Sequence, residues 1–550
     1  MFVALSSDRR GTVTAVELDG DAVETARTTV PEPALAAWVA EREVGRPRWV
    51  WSDTARWYPD LLAGGVRIER CVDLRLCRRI LRNAVWTAAS TWPDDAWNAP
   101  ADGPAGAAAA DALFALEEPR PDDDPVAELR RQRTAVAASS EPGRLGLLVA
   151  AESVGSLVAA EMSFAGLPWR ADLHDAILRE LLGDPGPSGR PARMEALLAE
   201  VRAALDAPEL NPDSPVELVK GLQRAGLRAT STRSWELKRL DHPAIPPLLE
   251  YKKLARLLSA NGWSWLAEWV RDGRFRPVYV PGGVVTGRWA ADGGGALQLP
   301  KQVRGAAVAD PGWRLVVGDA AQLEPRVLAA MSRDVAMARA GQAQDMYQGM
   351  VDAGAVETRP QAKYGMLGAI YGGTTGESGR MRPRIERAFP RAMAFVEDAA
   401  RAGERGEVVT TWLGRSSPPG RHGPGRIDGA DETLSDAETR RAQNDARGWG
   451  RFTRNFVVQG TAAEWALCWM GGLRRRLWEL GGPGQPLTER PHLVFFLHDE
   501  LIVHTPAALA PVVEVALRES AAEAGRLLFG AAPVEFALTV ATVERYADAK

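Results

Sequence analysis

Two aspartates, Asp319 and Asp499, are the residues of this chain whose surroundings best suit chemistry. Each stands at the end of an apolar run, 315–317 in the first case and 493–497 in the second. Apolar runs of this kind, bounded by polar residues, are typical of buried strands. Carboxylates at the ends of neighbouring strands can hold two divalent ions roughly 4 Å apart, as in-line phosphoryl transfer requires, and their hard oxygens suit Mg²⁺. Taken alone, Asp319 is better explained as a cap of the helix that follows it.

The segments around these aspartates predict how they are positioned. Gly318 lets the backbone pass closely, and apolar residues recur at helical spacing after Asp319, so we expect a strand, a turn and a helix. The segment from Leu493 to Val503 predicts a hairpin whose turn pushes out three polar side chains. Those side chains belong to His498, Asp499 and Glu500.

A predicted helix between the two aspartates carries a cationic stripe. Thr358 can cap this helix, Pro360 suits its first turn, and Gly372 can end it. Two cations near the positive end of a helix dipole repel each other unless an anion lies between them, and a triphosphate is such an anion. A solvated charged face is the alternative interpretation. The positions that share the stripe are Arg359, Lys363, Leu367 and Tyr371.

Composition limits the class of protein. The 550 residues, 46% of them hydrophobic, suffice for several domains with their own cores. The net charge of −4 means that any nucleic-acid site must be a local basic surface. Three cysteines without a Cys-x-x-Cys pair argue against a zinc site or a disulfide framework and favour a reducing cytoplasm. The N-terminal apolar run is too short for a signal peptide, and we expect no segment to approach a membrane span.

The chain divides into regions of different character. Residues 1–90 alternate short apolar runs with helix-like segments, which suggests a small α/β domain. Residues 95–145 are rich in Ala, Pro and Asp and are interpreted as a surface insertion and linker, whose acidic run is solvated rather than metal-binding. The pattern from 147 to 269 is helical, and residues 416–436 are expected to form a long polar surface loop.

The motifs around both aspartates resemble those of family A DNA polymerases, the bacterial DNA polymerase I type. The family's first palm motif, Asp-x-Ser-Gln-Ile-Glu-x-Arg, is similar to 319–326, and its His-Asp-Glu motif is similar to 498–500. Its finger helix, Arg-x-x-x-Lys-x-x-x-Phe-Gly-x-x-Tyr-Gly, is similar to 359–372, with Leu367 in place of Phe. Its Thr-Gly-Arg is similar to 286–288, and its Arg-x-x-x-Asn-x-x-x-Gln-Gly-Thr-Ala-Ala is similar to 451–463. The resemblance covers about 150 to the C-terminus.

This resemblance implies an α+β multidomain fold with the right-hand polymerase arrangement of palm, fingers and thumb. A small RNase H-like α/β domain of the 3′-5′ exonuclease type precedes it. The expected ranges are the exonuclease-like domain with its insertion at 1–140, the helical thumb at 141–270, the first palm segment at 271–332, the fingers at 333–447 and the second palm segment at 448–550.

The resemblance also implies a role for each matched residue in template-directed DNA synthesis from dNTPs on primer-template DNA. Asp319 and Asp499 are the implied catalytic residues and, with Ala320, hold two Mg²⁺ ions that Mn²⁺ can replace. The implied steric gate against a ribose 2′-hydroxyl is Glu324. The implied dNTP-binding residues are Gln322, Glu324, Tyr347, Arg359, Lys363, Leu367 and Tyr371. The implied DNA-binding residues are Arg288, Gln298, Arg451, Asn455, Gln459 and His498, with Glu500 in a secondary role.

The match to the exonuclease domain is partial. Asp73 lies at a recurrent aspartate of that domain, but residues 5–7 replace the Asp-x-Glu of its first strand. No tyrosine lies between Tyr58 and Tyr251 to supply its Tyr-x-x-x-Asp motif. A two-metal site cannot assemble without those carboxylates, so we expect an inactive scaffold and no proofreading.

Other functions remain open. A single-subunit RNA polymerase shares the palm, although Glu324 and the segment 459–463 argue against it. A non-catalytic DNA-binding derivative would keep the fold, and a nuclease acting through residues 1–140 is a further alternative. We expect a monomer in the cytoplasm, associated with the nucleoid and without membrane contact. No N-terminal 5′ nuclease region is recognised, so we expect a separate protein to supply that activity.

Overall fold

The structure is a computed structural model that groups the chain into two compact units. The first unit contains Met1–Ala165, Val278–Asp292 and Gly312–Thr542, and the second contains Gly166–Pro277, Gly293–Pro311 and Val543–Lys550. The residues described are 1–8, 11–88, 92–98, 124–186, 189–373, 376–420, 436–482 and 484–549. Residues 99–123 of the predicted insertion and residues 421–435 of the predicted loop therefore lie outside the described residues, whereas 125–137 and 142–145, predicted as insertion and linker, are helical.

The elements are numbered in chain order. The strands are β1 (Phe2–Ser7), β2 (Thr12–Leu18), β3 (Glu24–Pro31), β4 (Arg48–Trp51), β5 (Arg70–Asp73), β6 (Leu167–Pro168), β7 (Val270–Arg271), β8 (Arg274–Phe275), β9 (Tyr279–Val280), β10 (Ala290–Ala291), β11 (Trp313–Ala320), β12 (His492–Leu497), β13 (Glu500–Pro506) and β14 (Leu538–Val543). The helices are α1 (Leu35–Glu43), α2 (Thr54–Ala63), α3 (Leu74–Leu81), α4 (Pro125–Ala137), α5 (Pro142–Ala165), α6 (Ala171–Leu182), α7 (Ala192–Ala204), α8 (Pro215–Arg224), α9 (Ser234–Leu237), α10 (Ile245–Asn261), α11 (Trp263–Trp269), α12 (Leu323–Ser332), α13 (Val335–Ala340), α14 (Met346–Asp352), α15 (Arg359–Tyr371), α16 (Gly376–Ala388), α17 (Pro390–Glu404), α18 (Asp436–Glu479) and α19 (Ala510–Phe529).

The N-terminal region forms a five-stranded mixed sheet in the order β3-β2-β1-β4-β5. Strands β1, β2 and β3 pair antiparallel, whereas β4 runs parallel to both β1 and β5. Trp49 and Trp51 are fully buried on β4, and Asp53 caps the helix that follows. The sheet confirms the predicted α/β character of this region.

A second sheet, in the order β12-β13-β11-β14, carries both aspartates. Strand β11 pairs antiparallel with β13, and β12 and β13 form the predicted hairpin. Every residue of β12 is buried, as an unbroken apolar run indicates for a strand covered on both faces. A Cβ added at Gly318 would lie 3.2 Å from Leu517 of α19 and 3.6 Å from Trp469 of α18, so the glycine permits this close helix packing.

Helix α15 begins and ends where the sequence predicts. The Thr358 hydroxyl accepts a hydrogen bond from the Gln361 N–H, and Pro360 lies in the first turn. Gly372 ends the helix with φ of 73°, a left-handed conformation that favours glycine. The predicted helix that bears the cationic stripe is thus confirmed.

Helix α5 overturns the expectation that no segment approaches a membrane span. Among the described residues, this helix of 24 residues is the one that is long and apolar enough to cross a membrane, judged by length and composition alone. However, 67% of its most apolar window is buried inside the protein, which is typical of a core helix. Helix α5 belongs to the first unit, whereas 166–270 lie in the second. The predicted thumb boundary at residue 141 therefore does not coincide with the division of the structure.

The second unit is mainly helical, as predicted for this region of the chain. Its core includes a cluster of aromatic rings in which Trp169 and Trp265 pack against His174, and Phe275 packs against both tryptophans. Burial lowers the pKa of His174 to about 4, so its imidazole is neutral at pH 7. The short strands β6, β8 and β7 form a small antiparallel sheet beside these rings.

A buried ionic cluster joins α18, α5 and the N-terminal region within the first unit. Arg474 of α18 donates to Glu161 of α5 at 2.7 Å, and Arg67 donates to the same carboxylate at 2.9 Å. The Tyr58 hydroxyl donates to it at 2.7 Å. Burial alone would raise the pKa of Glu161, but the Arg474 and Arg67 charges outweigh burial and lower it to about 2.

Replacing Glu161 is expected to destabilise the protein strongly. Glu161→Ala should cost about 3–5 kcal/mol in free energy of unfolding, because two guanidinium groups would remain buried without a counter-charge. Since the pKa falls from 4.5 unfolded to about 2 folded, this contribution is complete above pH 4.5 and is lost as the pH falls towards 2. Urea unfolding at pH 7 and pH 3 measures both effects. The exposed Glu519→Ala is the control, and equal midpoints for the two variants at pH 7 would contradict the prediction.

Candidate active site

The ends of β11 and β13 bring the two aspartates together. Asp319 is the register partner of Glu500, and the Ala320 N–H donates to the Asp499 carbonyl at 2.9 Å. The two carboxylates therefore start from adjacent backbone positions, although they are far apart in sequence. The predicted juxtaposition at neighbouring strand ends is confirmed.

The hairpin turn differs in one respect from the prediction. His498 and Asp499 form the turn, and His498 is exposed with φ of 60°. Glu500, predicted to point out of the turn with them, is instead 2% exposed and is the first residue of β13. Because side chains alternate along a strand, pairing with β11 turns Glu500 into the protein.

The turn after Asp319 is held by an arginine whose contacts the sequence did not indicate. Arg326 is 1% exposed and donates to five backbone carbonyls between 2.5 and 2.8 Å. Charge-assisted bonds of this kind are strong, and they fix the turn against two other segments. The carbonyls belong to Ala321, Gly341, Ala343, Gln344 and Glu535.

Gln322 lies in this turn with φ of 49°. Its side-chain oxygen accepts a hydrogen bond from the Met346 N–H at 3.1 Å, at the start of α14. The predicted dNTP-binding residue therefore links the turn to α14.

Glu324 joins three of the predicted motifs. It lies in the first turn of α12, accepts a hydrogen bond from the Tyr371 hydroxyl at 2.7 Å, and forms an ion pair with Arg288. Desolvation raises the pKa of Tyr371, and the Glu324 carboxylate raises it further, so the phenol remains a donor. Desolvation and the Arg288 charge lower the pKa of His498, whereas Glu324 raises it. These four side chains therefore share one electrostatic environment.

The cationic stripe of α15 lies on its accessible face. Arg359, Lys363 and Tyr371 are exposed, while Leu367 is half-buried. The Arg359 guanidinium donates to Asp345 at 2.6 Å.

Tyr347 lies beside this ion pair. The Arg359 guanidinium is 5.8 Å from the centre of the Tyr347 ring. Tyr347 is 6% exposed, and burial, together with the charges of Glu324 and Asp345, raises its pKa to about 12. Its phenol is therefore neutral at pH 7, so Tyr347 places an uncharged ring beside the Arg359 guanidinium.

Helix α18 presents the predicted polar face. Arg451 is exposed and Asn455 and Gln459 are half-buried, while residues 456–458 between them are buried. A Cβ added at Gly372 would lie 3.0 Å from the Arg451 Cγ, so this face adjoins the end of α15. The Oδ1 of Asn455 has no hydrogen-bond partner among the described residues.

Gly460 continues the close packing along α18. A Cβ there would lie 3.0 Å from the Thr286 carbonyl, so the helix also adjoins the turn that carries Arg288. Gln298 is exposed at the end of a short 3₁₀ turn, Ala296–Gln298, in the second unit. The first unit thus contains every predicted site residue except Gln298.

The donor set at the strand ends suits Mg²⁺. Among the described residues no group of three or more His, Cys, Asp or Glu side chains forms a closed metal site. Mg²⁺ does not need one, because it is commonly held by one or two carboxylates together with water and substrate phosphates. Asp319 and Asp499 on adjacent backbone positions fit that pattern.

The strand ends with their paired aspartates, the stripe on α15 and the polar face of α18 form the candidate site. The sequence model for DNA polymerase family A matches residues 190–543, and the chain belongs to this family. It is similar to the thermostable DNA polymerase I of Thermus aquaticus, with 27% identity over 319 residues, 53% of this chain and 35% of that protein. It is 29% identical to DNA polymerase I of Chloroflexus aurantiacus over 314 residues, 52% of this chain and 30% of that protein.

The fold is similar to a solved structure over nearly its whole length. This neighbour is the POL domain of Pol1 from M. smegmatis in complex with DNA primer-template and dNTP. The TM-score is 0.68 at 17% identity, covering 99% of this chain and 95% of that one. The chain spans about a third of the length of the curated relatives it matches.

Removing the Arg326 guanidinium is expected to loosen the turn after Asp319. Arg326→Met keeps the apolar stem but leaves several buried carbonyls without donors, so we expect a loss of about 2–4 kcal/mol in free energy of unfolding. Hydrogen exchange at 321–323 and 341–346 should rise in the folded protein. Exposed Arg401→Met serves as the control. Unchanged exchange in these segments would contradict the assignment of Arg326 as their anchor.

Proposed function

We propose that this chain is a template-directed DNA polymerase that adds dNTPs to a primer 3′-hydroxyl. The observation that carries the proposal is the placement of Asp319 and Asp499 on paired strand ends, with the Ala320 N–H bonded to the Asp499 carbonyl at 2.9 Å. Membership of DNA polymerase family A supports the reaction type. The proposed partners are primer-template DNA and dNTPs, and the proposed state is a cytoplasmic, nucleoid-associated monomer.

Asp319, Asp499 and Ala320 are the residues proposed to hold two Mg²⁺ ions, which Mn²⁺ can replace. When bound, the ions supply Lewis-acid charge stabilisation at the α-phosphate and lower the pKa of the primer hydroxyl. The protein fixes the backbone positions from which both carboxylates extend, because β11 and β13 are already paired before substrate binds.

The face of α15 is proposed to bind the triphosphate. Arg359 and Lys363 are exposed one turn apart near the N-terminal end of the helix, where the dipole also favours an anion. Arg359 leaves Asp345 to bind phosphate oxygens, and Tyr347 supplies a neutral wall beside it. Leu367 provides a smaller apolar surface for the sugar than an aromatic ring would.

Glu324 is proposed to exclude a ribose 2′-hydroxyl. Bonds from Tyr371 and Arg288 hold its carboxylate in place, so it forms a fixed obstacle rather than a mobile one. Tyr371 is proposed to stack at the templating position, and Gln322 to support the nucleotide pocket. The same network favours dNTPs over rNTPs, which is the reason for preferring DNA synthesis to RNA synthesis.

The polar face of α18 is proposed to contact the minor groove. Amide and guanidinium donors can bond to the acceptors that all base pairs present there. The Oδ1 of Asn455, which has no hydrogen-bond partner in the described part of the chain, is consistent with a ligand at this face. The residues proposed to bind DNA are Arg288, Gln298, Arg451, Asn455, Gln459 and His498, with Glu500 supporting the strand end.

The N-terminal domain is proposed to lack exonuclease activity. Asp73 is 3% exposed and accepts hydrogen bonds from the Leu76 N–H at 3.0 Å and the Thr54 N–H at 2.9 Å. Its carboxylate thus serves as a helix cap and a strand-end anchor. The division into exonuclease-like domain, thumb, palm and fingers is proposed at the ranges given above, except that α5 is grouped with the first unit and not with the thumb.

Primer extension tests the polymerase proposal. Asp319→Ala and Asp499→Ala are each expected to lower the rate of dNTP incorporation by at least about 10³-fold, because several kcal/mol of transition-state stabilisation is lost. A labelled primer-template, Mg²⁺ and either dNTPs or rNTPs are used, with exposed Asp172→Ala as the control. Extension with rNTPs alone would favour an RNA polymerase. Tight primer-template binding by wild type without extension would favour the non-catalytic derivative.

A mismatched primer tests the absence of proofreading. We expect the mismatched 3′ nucleotide to persist during incubation with Mg²⁺ and no dNTPs, because the N-terminal domain lacks the carboxylates for two metal ions. Gel analysis of the end-labelled primer measures the outcome. Shortening of the primer that survives Asp73→Asn would reveal a nuclease site that does not depend on Asp73, and shortening abolished by that variant would reveal a working exonuclease.

A further inference from the structure

Residues 281–288, the turn that ends at Arg288, pack against a buried ionic cluster. Residues 281–288 form a tight turn in which the Gly287 N–H donates to the Val284 carbonyl at 2.8 Å and the Val284 N–H to the Arg288 carbonyl at 3.1 Å. Val284 and Val285 at its tip are exposed. These two hydrogen bonds fix the backbone path of the turn that ends at Arg288.

Arg415 supports this turn from below. A Cβ added at Gly287 would lie 2.9 Å from the Arg415 Cζ and 3.2 Å from its Cδ, so the side chain packs directly against the turn. Arg415 forms a buried ion pair with Glu152 of α5, and both residues are less than 10% exposed. The Arg415 N–H also donates to the Thr411 hydroxyl at 2.9 Å, which in turn donates to Glu464 of α18.

Arg79 of α3 supports the same turn from the N-terminal domain. Its guanidinium donates to the Pro281 carbonyl at 3.0 Å and to the Gly282 carbonyl at 3.2 Å. A Cβ at Gly282 would lie 3.1 Å from that guanidinium and 3.5 Å from the Glu152 carboxylate. Helix α3 and helix α5 therefore approach the turn together.

The ionisable side chains of this cluster shift one another's pKa values. Burial raises the pKa of Glu152, while the Arg415 and Arg79 charges lower it and Asp73 raises it. Burial also raises the pKa of Glu464 to about 7, against the hydrogen bonds from Thr411 and Leu413 and the Arg415 charge. Arg415 thus pairs with Glu152 directly and acts on Glu464 through its charge alone, and exposed Arg79 adds a second cation to the cluster.

We propose that Arg79 and Arg415 are positioning residues that hold the 281–288 turn so that Arg288 is correctly placed for primer-template DNA. This inference rests on the proposed DNA-binding role of Arg288. It gives the N-terminal domain a function that does not require metal-binding carboxylates: the domain supports the primer-binding turn through Arg79. Neither arginine touches the reacting atoms, and both act through Arg288.

A double-mutant cycle on primer-template binding tests the proposal. Arg79 is exposed, so Arg79→Ala is expected to fold, and Arg415→Lys keeps the buried charge. Each should raise the Kd for a fluorescent primer-template by about 5-fold, and by less than about 2-fold when Arg288→Ala is already present. Arg79→Lys should restore most of the binding, because an ammonium can still donate to the two carbonyls. Exposed Arg82→Ala, just past the end of the same helix, is the matched control.

The outcomes separate this proposal from the proposed function. Fluorescence anisotropy measures the Kd whether or not the protein extends a primer. Wild-type protein that binds primer-template but does not extend it would contradict the polymerase proposal, and the double-mutant cycle would still test the positioning role. Losses that add fully to that of Arg288→Ala would overturn the positioning role, as would an Arg79→Ala variant that binds like Arg82→Ala. Absence of primer-template binding by wild type would overturn both proposals.

Discussion

The pairing of β11 with β13 is the constraint on which the rest of the site depends. Both strands are buried, and a slip of one residue would turn every side chain to the opposite face. Such a slip would also separate Asp319 from its partner Glu500, so the register decides which residues meet at the strand ends. The same pairing turns Glu500 inward and leaves Asp499 at the turn. Core packing thereby places the Asp499 carboxylate at the turn and the Glu500 carboxylate in the interior.

Local signals in the sequence were enough to predict the elements that carry the site. Thr358, Pro360 and Gly372 each act within a few residues of their own position, and the start, first turn and end of α15 follow from them. The unbroken apolar run 493–497 likewise predicts a buried strand. These features depend on capping, proline geometry and burial, which are properties of a short segment.

Contacts between distant segments could not be predicted in the same way. The five carbonyls bonded by Arg326 lie on three separate stretches of chain, and nothing near Arg326 in sequence identifies them. The bonds from Arg79 to Pro281 and Gly282 span about 200 positions. Helix α5 is largely apolar but carries Glu152 and Glu161, and the partners that allow these two carboxylates to be buried become known only from the structure.

The ion pair between Arg359 and Asp345 neutralises one of the two cations of the proposed nucleotide site before a ligand binds. Under the proposed function, nucleotide entry is an exchange of partners: phosphate oxygens replace a carboxylate that is already within 2.6 Å. An intramolecular partner has an effective concentration of order mM, so a weakly charged anion competes poorly with it. A triphosphate that also reaches Lys363 has a second cation to offset the exchange. The pair thus acts as a threshold that favours highly charged ligands before any base or sugar is read.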